Sequence, residues 1–217
     1  DNINPSDLKI INSFRETSST DVELAIDAAK TSQVNWAKTP AIERAEFLKK
    51  IAQEIRKRED EFVQTIVQEQ GKIKELASGE VQGAANYFDY TAEWARRIEG
   101  EIVTSDSPNE NIFIFKIPMG VVSGILPWNF PFFLIARKVA PALVTGNTIV
   151  IKASEETSNN AFLFSQILKK IDLPRGVVNF VYGQGPTVGK QLSSNKKIDM
   201  ISFTGSVETG SAIMGEA

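Results

Sequence analysis

Across 217 residues, with 42% hydrophobic side chains and a formal net charge of −3, the chain can bury a sizeable core but has no basic field to attract nucleic acid. It contains no Cys and no His, which excludes a disulfide, a thiolate nucleophile, an imidazole base and the usual zinc or copper ligand sets. Only carboxylates remain as metal ligands, no calcium-loop spacing occurs, and no metal site is expected.

After a short extended start, SSTDVELAIDAAK predicts a helix whose Thr20 and Glu23 form a capping box and whose Val22, Ala25, Ile26 and Ala29 share a face. A second helix opens with Thr39 and Pro40 in capping positions and carries Ile42, Ala45, Leu48, Ile51, Ala52 and Ile55 at helical spacing. A third runs from Glu59 to Gly71. A fourth extends from Lys72 to Arg97, with Ile73, Ala77, Val81, Ala84, Ala85 and Phe88 on one stripe. The period then changes, because EGEIVTSDSPNENIFIFKIP holds two β-rich runs around a turn cluster and reads as a hairpin.

From Met119 short apolar runs alternate with amphipathic helices: GVVSGIL, FPFFLIARKVAPALVTG, TIVIK, NNAFLFSQILKKI, VVNFVYG, a short helix, IDMISFTGS and a final helix. That alternation predicts an α/β fold with a Rossmann-like parallel sheet and helices on both faces. The expected organisation is an N-terminal helical part over residues 1–99, a bridging hairpin over 100–118, and a sheet-containing part over 119–217. Arg137, Lys138, Pro141 and Lys152 break the longest apolar runs below the roughly 20 residues that cross a bilayer. The polar start has no signal-peptide pattern, so a soluble, cytoplasmic protein is expected.

In such sheets ligands gather outside the carboxyl ends of the strands. The residues placed there are PWNFP, KASEE, GQGPTVG and FTGS. GQGPTVG fails as a phosphate-binding Gly-Lys loop, because Gln191 stands where a hydroxyl must meet the metal, and it also misses the dinucleotide glycine spacing. It reads either as a turn into a helix or as a ligand loop. Glu155 can accept from two ribose hydroxyls with Lys152 beside it, or both can belong to a solvated charged loop. FTGS precedes a helix whose first amides suit a phosphate, or Ser206 simply caps it.

With PWNFP, GNTIVIKASE, GQGPTVG and FTGS in this order, the chain resembles the aldehyde dehydrogenase superfamily from the Asn-Pro near residue 4 to its last residue. AEWARRIEGEIV followed by GILPWNFPFFLIARKVAPAL is similar to the branch that oxidises lactaldehyde and glycolaldehyde. The resemblance implies NAD-dependent oxidation of a small hydroxyaldehyde to the acid through a thiohemiacetal and a thioester, with NADP also possible. Asn129 would donate its amide to the oxyanion, held in a dry site by its aromatic and proline neighbours. Ile125, Leu126, Pro127 and Trp128 would line the nicotinamide, while Lys152 and Glu155 would meet the adenosine ribose. Gly185, Pro186 and Gly189 would flank the adenine, and Phe203, Thr204, Gly205 and Ser206 would lie along the pyrophosphate and nicotinamide.

Phe130, Phe133 and Arg137 share one helical face, which the resemblance places on the aldehyde tunnel. Ala153 stands where many members have Pro, a mild departure. The resemblance also implies a homo-oligomer bridged by the hairpin. It puts the catalytic thiol and the Glu that activates the hydrolytic water beyond these residues, so a truncated cofactor-binding half, inert toward aldehydes alone, is expected. The alternative is a non-catalytic assembly or nucleotide-binding module, motivated by the apolar hairpin.

Overall fold

In the computed structural model, which describes residues 1–217, a parallel sheet is sandwiched between two helical layers, and the local sequence explains each element. Helix α1, Ser19–Lys38, is capped two residues earlier than the capping box predicts: the Ser18 hydroxyl accepts from the Asp21 amide at 3.1 Å, and Thr20 lies inside the first turn. Val22, Ile26 and Ala29 are buried, as the face predicts. Helix α2, Ala41–Lys57, has no side-chain cap; the Thr39 hydroxyl instead donates back to Asn35 O and closes α1. Ala45, Leu48, Ile51, Ala52 and Ile55 are all fully buried on its inner face.

Helix α3, Glu59–Gln70, stops at Gly71, whose left-handed φ of 72° suits a residue without a Cβ. Helix α4, Lys74–Ala92, is shorter than its periodicity suggests: Glu93–Arg96 winds as a 3₁₀ turn. Ile73 precedes the helix in an extended conformation and is 62% exposed, so it does not join the buried stripe. A small antiparallel pair, Asn2–Ile3 (β1) and Ile10–Asn12 (β2), closes the N-terminus. The hairpin pairs Glu101–Thr104 (β3) with Asn111–Ile114 (β4), and every residue of both strands is exposed.

The main sheet comprises Val121–Ile125 (β5), Thr148–Lys152 (β6), Val178–Val181 (β7) and Met200–Phe203 (β8), all parallel in the order β7-β6-β5-β8. The connecting helices are α5, Pro131–Val144, and α6, Ser158–Lys170, followed later by the short α7, Lys190–Ser193, and by α8, Val207–Glu216. The predicted short helix after β7 is a π-helical turn, Gly185–Gly189, running into α7. Every residue of β5 and β6 is buried, as expected for strands covered on both faces. One core of 35 buried residues joins α2 to α6 with one face of the sheet. A second core of nine, including Val22, Ile26, Val188 and Leu192, covers the other face beneath α1 and α7.

Strand order places a topological switch beside β5, because the chain moves outward through β6 and β7 and then returns to β5's other edge with β8. Such switch points are where parallel sheets open a crevice for ligands. Helix α5, which leaves that crevice, is fixed at both ends. Phe132 stacks on Phe62 at 4.1 Å and meets Phe164 edge-on. At the far end the buried Arg44 guanidinium donates to Val144 O at 2.9 and 3.1 Å, where a cation complements the helix C-terminus.

Glu69 ties the end of α3 to the first turn of α6, accepting from Asn159 N at 2.7 Å and from the side-chain amides of Asn159 and Asn160 at 2.8 Å each. Its burial outweighs these bonds and pushes its carboxyl up to about 7, while the buried Asn160 Oδ1 has no donor. The raised value means that this group's contribution is fully present below its unfolded value near 4.5 and is lost as pH climbs through 7. The thermal midpoint should therefore fall between pH 5 and 7.5, with up to about 3 kcal/mol of stability lost at this site. Glu69→Gln, measured by thermal unfolding across the same range, should flatten the dependence.

Candidate active site at the carboxyl ends of the strands

The register of the sheet brings the strand ends level: Ile125 pairs with both Lys152 and Phe203, and Lys152 pairs with Val181. Two further backbone bonds carry the alignment past the strands, Leu126 N to Lys152 O and Thr204 N to Ile125 O, each 3.1 Å. PWNFP, KASEE and FTGS therefore leave the sheet side by side. GQGPTVG follows β7 and folds back toward β5, so that Ile125, Gly185, Pro186, Gly189, Glu208 and Thr209 share the wall of a cavity of about 520 Å³.

A Cβ at Gly185 or Gly189 would touch nothing within 4 Å. The chain's own packing thus leaves both positions sterically open, and the bare backbone permits close approach of a flat ring or a phosphate. Gly205 is constrained differently: a Cβ there would lie 2.4 Å from the Phe203 ring, which folds over it. Ser206 caps α8, accepting from the Thr209 amide at 3.1 Å. Ser206 caps only the Thr209 amide, and an anion favours the N-terminal end of a helix.

Lys152 is only 3% exposed, and its ammonium lies 2.6 Å from the half-exposed carboxylate of Glu155. Partial burial opposes the charge on Glu155, but the Lys152 hydrogen bond and the backbone amides of Glu155 and Gly185 hold its carboxyl below the usual range. The anion is thus maintained at the rim, with one edge free to accept hydroxyls. Beside it a cavity of about 320 Å³ is walled by Phe14, Glu16, Glu155, Tyr182 and Gln184. Phe14 stacks on Tyr182 at 4.8 Å, and Glu16 accepts from Gln184 N and from the Thr187 hydroxyl. Sequence reasoning missed Phe14 and Glu16, which sit in the extended start far from any motif; no local pattern marks them.

Asn129 corrects one expectation. Its side chain is exposed, as are Trp128 at 54% and Phe130 at 47%, so these neighbours do not exclude water from it. Large rings flank it in sequence but splay outward, because Phe132, not Phe130, supplies the anchor in the core. The amide is nonetheless oriented: Oδ1 accepts from Phe130 N at 3.1 Å, which leaves the Nδ2 donors without a protein acceptor. Phe133 and Arg137 lie four residues apart on α5, but Phe130 precedes the helix with a non-helical backbone, so the expected three-residue helical face does not include it. Phe133 packs edge-on against Tyr87, and the exposed Arg137 forms no ion pair.

Fold and loop placement define a parallel α/β domain whose β5, β6 and β8 end level with one another at a topological switch. The aldehyde dehydrogenase family model matches residues 1–217, and the chain belongs to that family. Lactaldehyde dehydrogenase of Escherichia coli is 55% identical over the whole chain, which spans 45% of that enzyme. A crystal structure of lactaldehyde dehydrogenase from Escherichia coli superposes with a TM-score of 0.98 over 99% of this chain and 45% of its own. D-glyceraldehyde dehydrogenase (NADP⁺) of Thermoplasma acidophilum is 37% identical over all of this chain and 44% of its own length. A betaine aldehyde dehydrogenase variant from Staphylococcus aureus in complex with NAD⁺ is 33% identical, with a TM-score of 0.97 over 100% of this chain and 45% of its own. The chain thus spans about half the length of the relatives it matches.

Because Asn129 bonds only to its neighbour's amide through its side chain, Asn129→Ala should leave the fold intact, shifting the thermal midpoint by less than about 2 °C. Differential scanning calorimetry checks this.

Proposed function

We propose that this chain is the cofactor-binding portion of an NAD⁺-dependent aldehyde dehydrogenase that oxidises a small hydroxyaldehyde, such as lactaldehyde or glycolaldehyde, to its acid. The observation that supports the reading is the level alignment of three strand ends, from which the loops carrying Asn129, Glu155 and Thr204 leave side by side. When bound, the nicotinamide supplies the two-electron acceptor. The residues present suit it: Glu155 accepts from ribose hydroxyls, Lys152 holds Glu155 in place, and the open backbone at Gly185 and Gly189 admits the adenine. The first-turn amides of α8, with Thr204 and Gly205 before them, would hold the pyrophosphate. Ile125, Leu126, Pro127 and Trp128 would line the nicotinamide.

No cysteine occurs in the chain, so the thiolate that attacks the aldehyde comes from outside these 217 residues. As it attacks, the carbonyl oxygen gains charge, and Asn129 Nδ2 donates to that oxygen through the thiohemiacetal stage. Because the loop is exposed in this chain, exclusion of water from Asn129 would have to come from residues outside it. Phe130 and Phe133 border the aldehyde, and the unpaired Arg137 favours a substrate bearing a hydroxyl or carboxylate. Two relatives, lactaldehyde and D-glyceraldehyde dehydrogenases, are named for substrates of the same class.

Glu155 would repel a 2′-phosphate, which favours NAD⁺, although relatives are named for both nucleotides. The fully exposed β3–β4 hairpin, with Ile102 at 74% and Phe113 at 56%, suits pairing with a second subunit.

With the full-length enzyme, calorimetry should detect NAD⁺ binding, and Glu155→Ala should weaken it about tenfold or more while narrowing discrimination against NADP⁺. Asn129→Ala should lower kcat about a hundredfold to a thousandfold with little change in NAD⁺ affinity. Unaltered binding in the first variant and unaltered turnover in the second would overturn the assignment.

A further inference from the structure

Apart from the Phe130 N to Asn129 Oδ1 bond, the turn that carries Asn129 is held by residues outside it. Helix α5 begins after Phe130, an aromatic residue that cannot cap, and no side chain of the turn satisfies the first amides. The bonds come from α4. Glu80, whose side chain is fully buried, accepts from Phe132 N at 2.9 Å and Phe133 N at 3.1 Å through one carboxylate oxygen.

Its other oxygen lies 2.6 Å from the ammonium of Lys72, whose side chain is 8% exposed. Lys72 in turn donates to the backbone carbonyl of Asn129 at 2.9 Å and sits 3.9 Å from the centre of the Phe130 ring. One buried ion pair therefore grips the turn from Asn129 onward: the peptide carbonyl of residue 129, the ring of 130, and the amides of 132 and 133. Each charge is compensated, the carboxylate by a helix N-terminus and a cation, the cation by a carboxylate, a carbonyl and a ring face.

Such an arrangement costs more to desolvate than an apolar contact would, and does not add stability by default. Its geometric consequence is orientation: with the carbonyl of residue 129 fixed and Oδ1 bonded to Phe130 N, the Nδ2 donors project in one direction. We propose that Lys72 and Glu80 are positioning residues that aim the Asn129 amide at the developing oxyanion. This inference rests on Asn129 being the oxyanion donor. Displacement of a reacting group by about 1 Å can cost up to about a hundredfold in rate, so a pair that touches no substrate can still govern turnover.

The test is a double-mutant cycle in the full-length enzyme. Lys72→Met should lower kcat about tenfold to a hundredfold, with the KM for NAD⁺ within about twofold, because the adenosine contacts at Lys152 and Glu155 are untouched. Glu80→Gln, which keeps an acceptor for the two amides, should move kcat in the same direction by less. In an Asn129→Ala background Lys72→Met should cost less than about threefold, since the group it aims is gone. Losses that multiply, or an unimpaired kcat in Lys72→Met, would overturn the positioning role while leaving Asn129 as the donor. An unimpaired Asn129→Ala enzyme would remove the oxyanion assignment itself, and this inference with it.

Discussion

Everything at this crevice depends on the register of a parallel ladder. Ile125, Lys152 and Phe203 end their strands at one level because β5 lies between β6 and β8 and bonds to both. A slip of one residue in β6 would exchange its two faces and turn Lys152 away from Glu155. It would also set a charged side chain against an apolar layer. The complete burial of β5 and β6 on both sides opposes that slip, since each face has a core of its own. Loop chemistry at the strand ends is thus specified by packing well inside the molecule.

Rigidity and exposure are divided along the chain. Helix α5 is pinned by Phe132 in an aromatic cluster and by Arg44 at its far end, whereas Trp128, Asn129 and Phe130, which precede it, lie open. Likewise Lys152 is buried and Glu155, three residues later, reaches the rim. In both places a fixed element presents a polar group to a crevice. Function at such loops needs a scaffold whose own hydrogen bonds do not consume the presenting atoms. The free Nδ2 of Asn129 meets that condition.

Much of this was legible in the sequence because periodicity is local. The stripes of α2 and α4, the alternation of apolar runs with helices, and the four strand-end motifs all appear in the structure where their spacing puts them. What the sequence concealed is non-local or depends on a choice between adjacent residues. Ser18 and Thr20 are both competent caps, and the position of the preceding extended segment selects the first. Ile73 fits a helical stripe on paper but lies in the loop that delivers Lys72 to the turn before α5. The exposure of Asn129 could not be inferred from flanking rings, because alternate aromatic residues in FPFF serve different masters: one enters the core and another covers an ammonium. No short-range pattern links Glu80 to an amide 52 residues away.

The most direct examination of the central claim is a crystal structure of the full-length enzyme with NAD⁺ bound. The account requires one nucleotide lying across the ends of β5, β6 and β8, its adenosine ribose on Glu155 and its nicotinamide beside Trp128 and Asn129. A nucleotide seated on another face, or one whose nicotinamide lies away from Asn129, would contradict it.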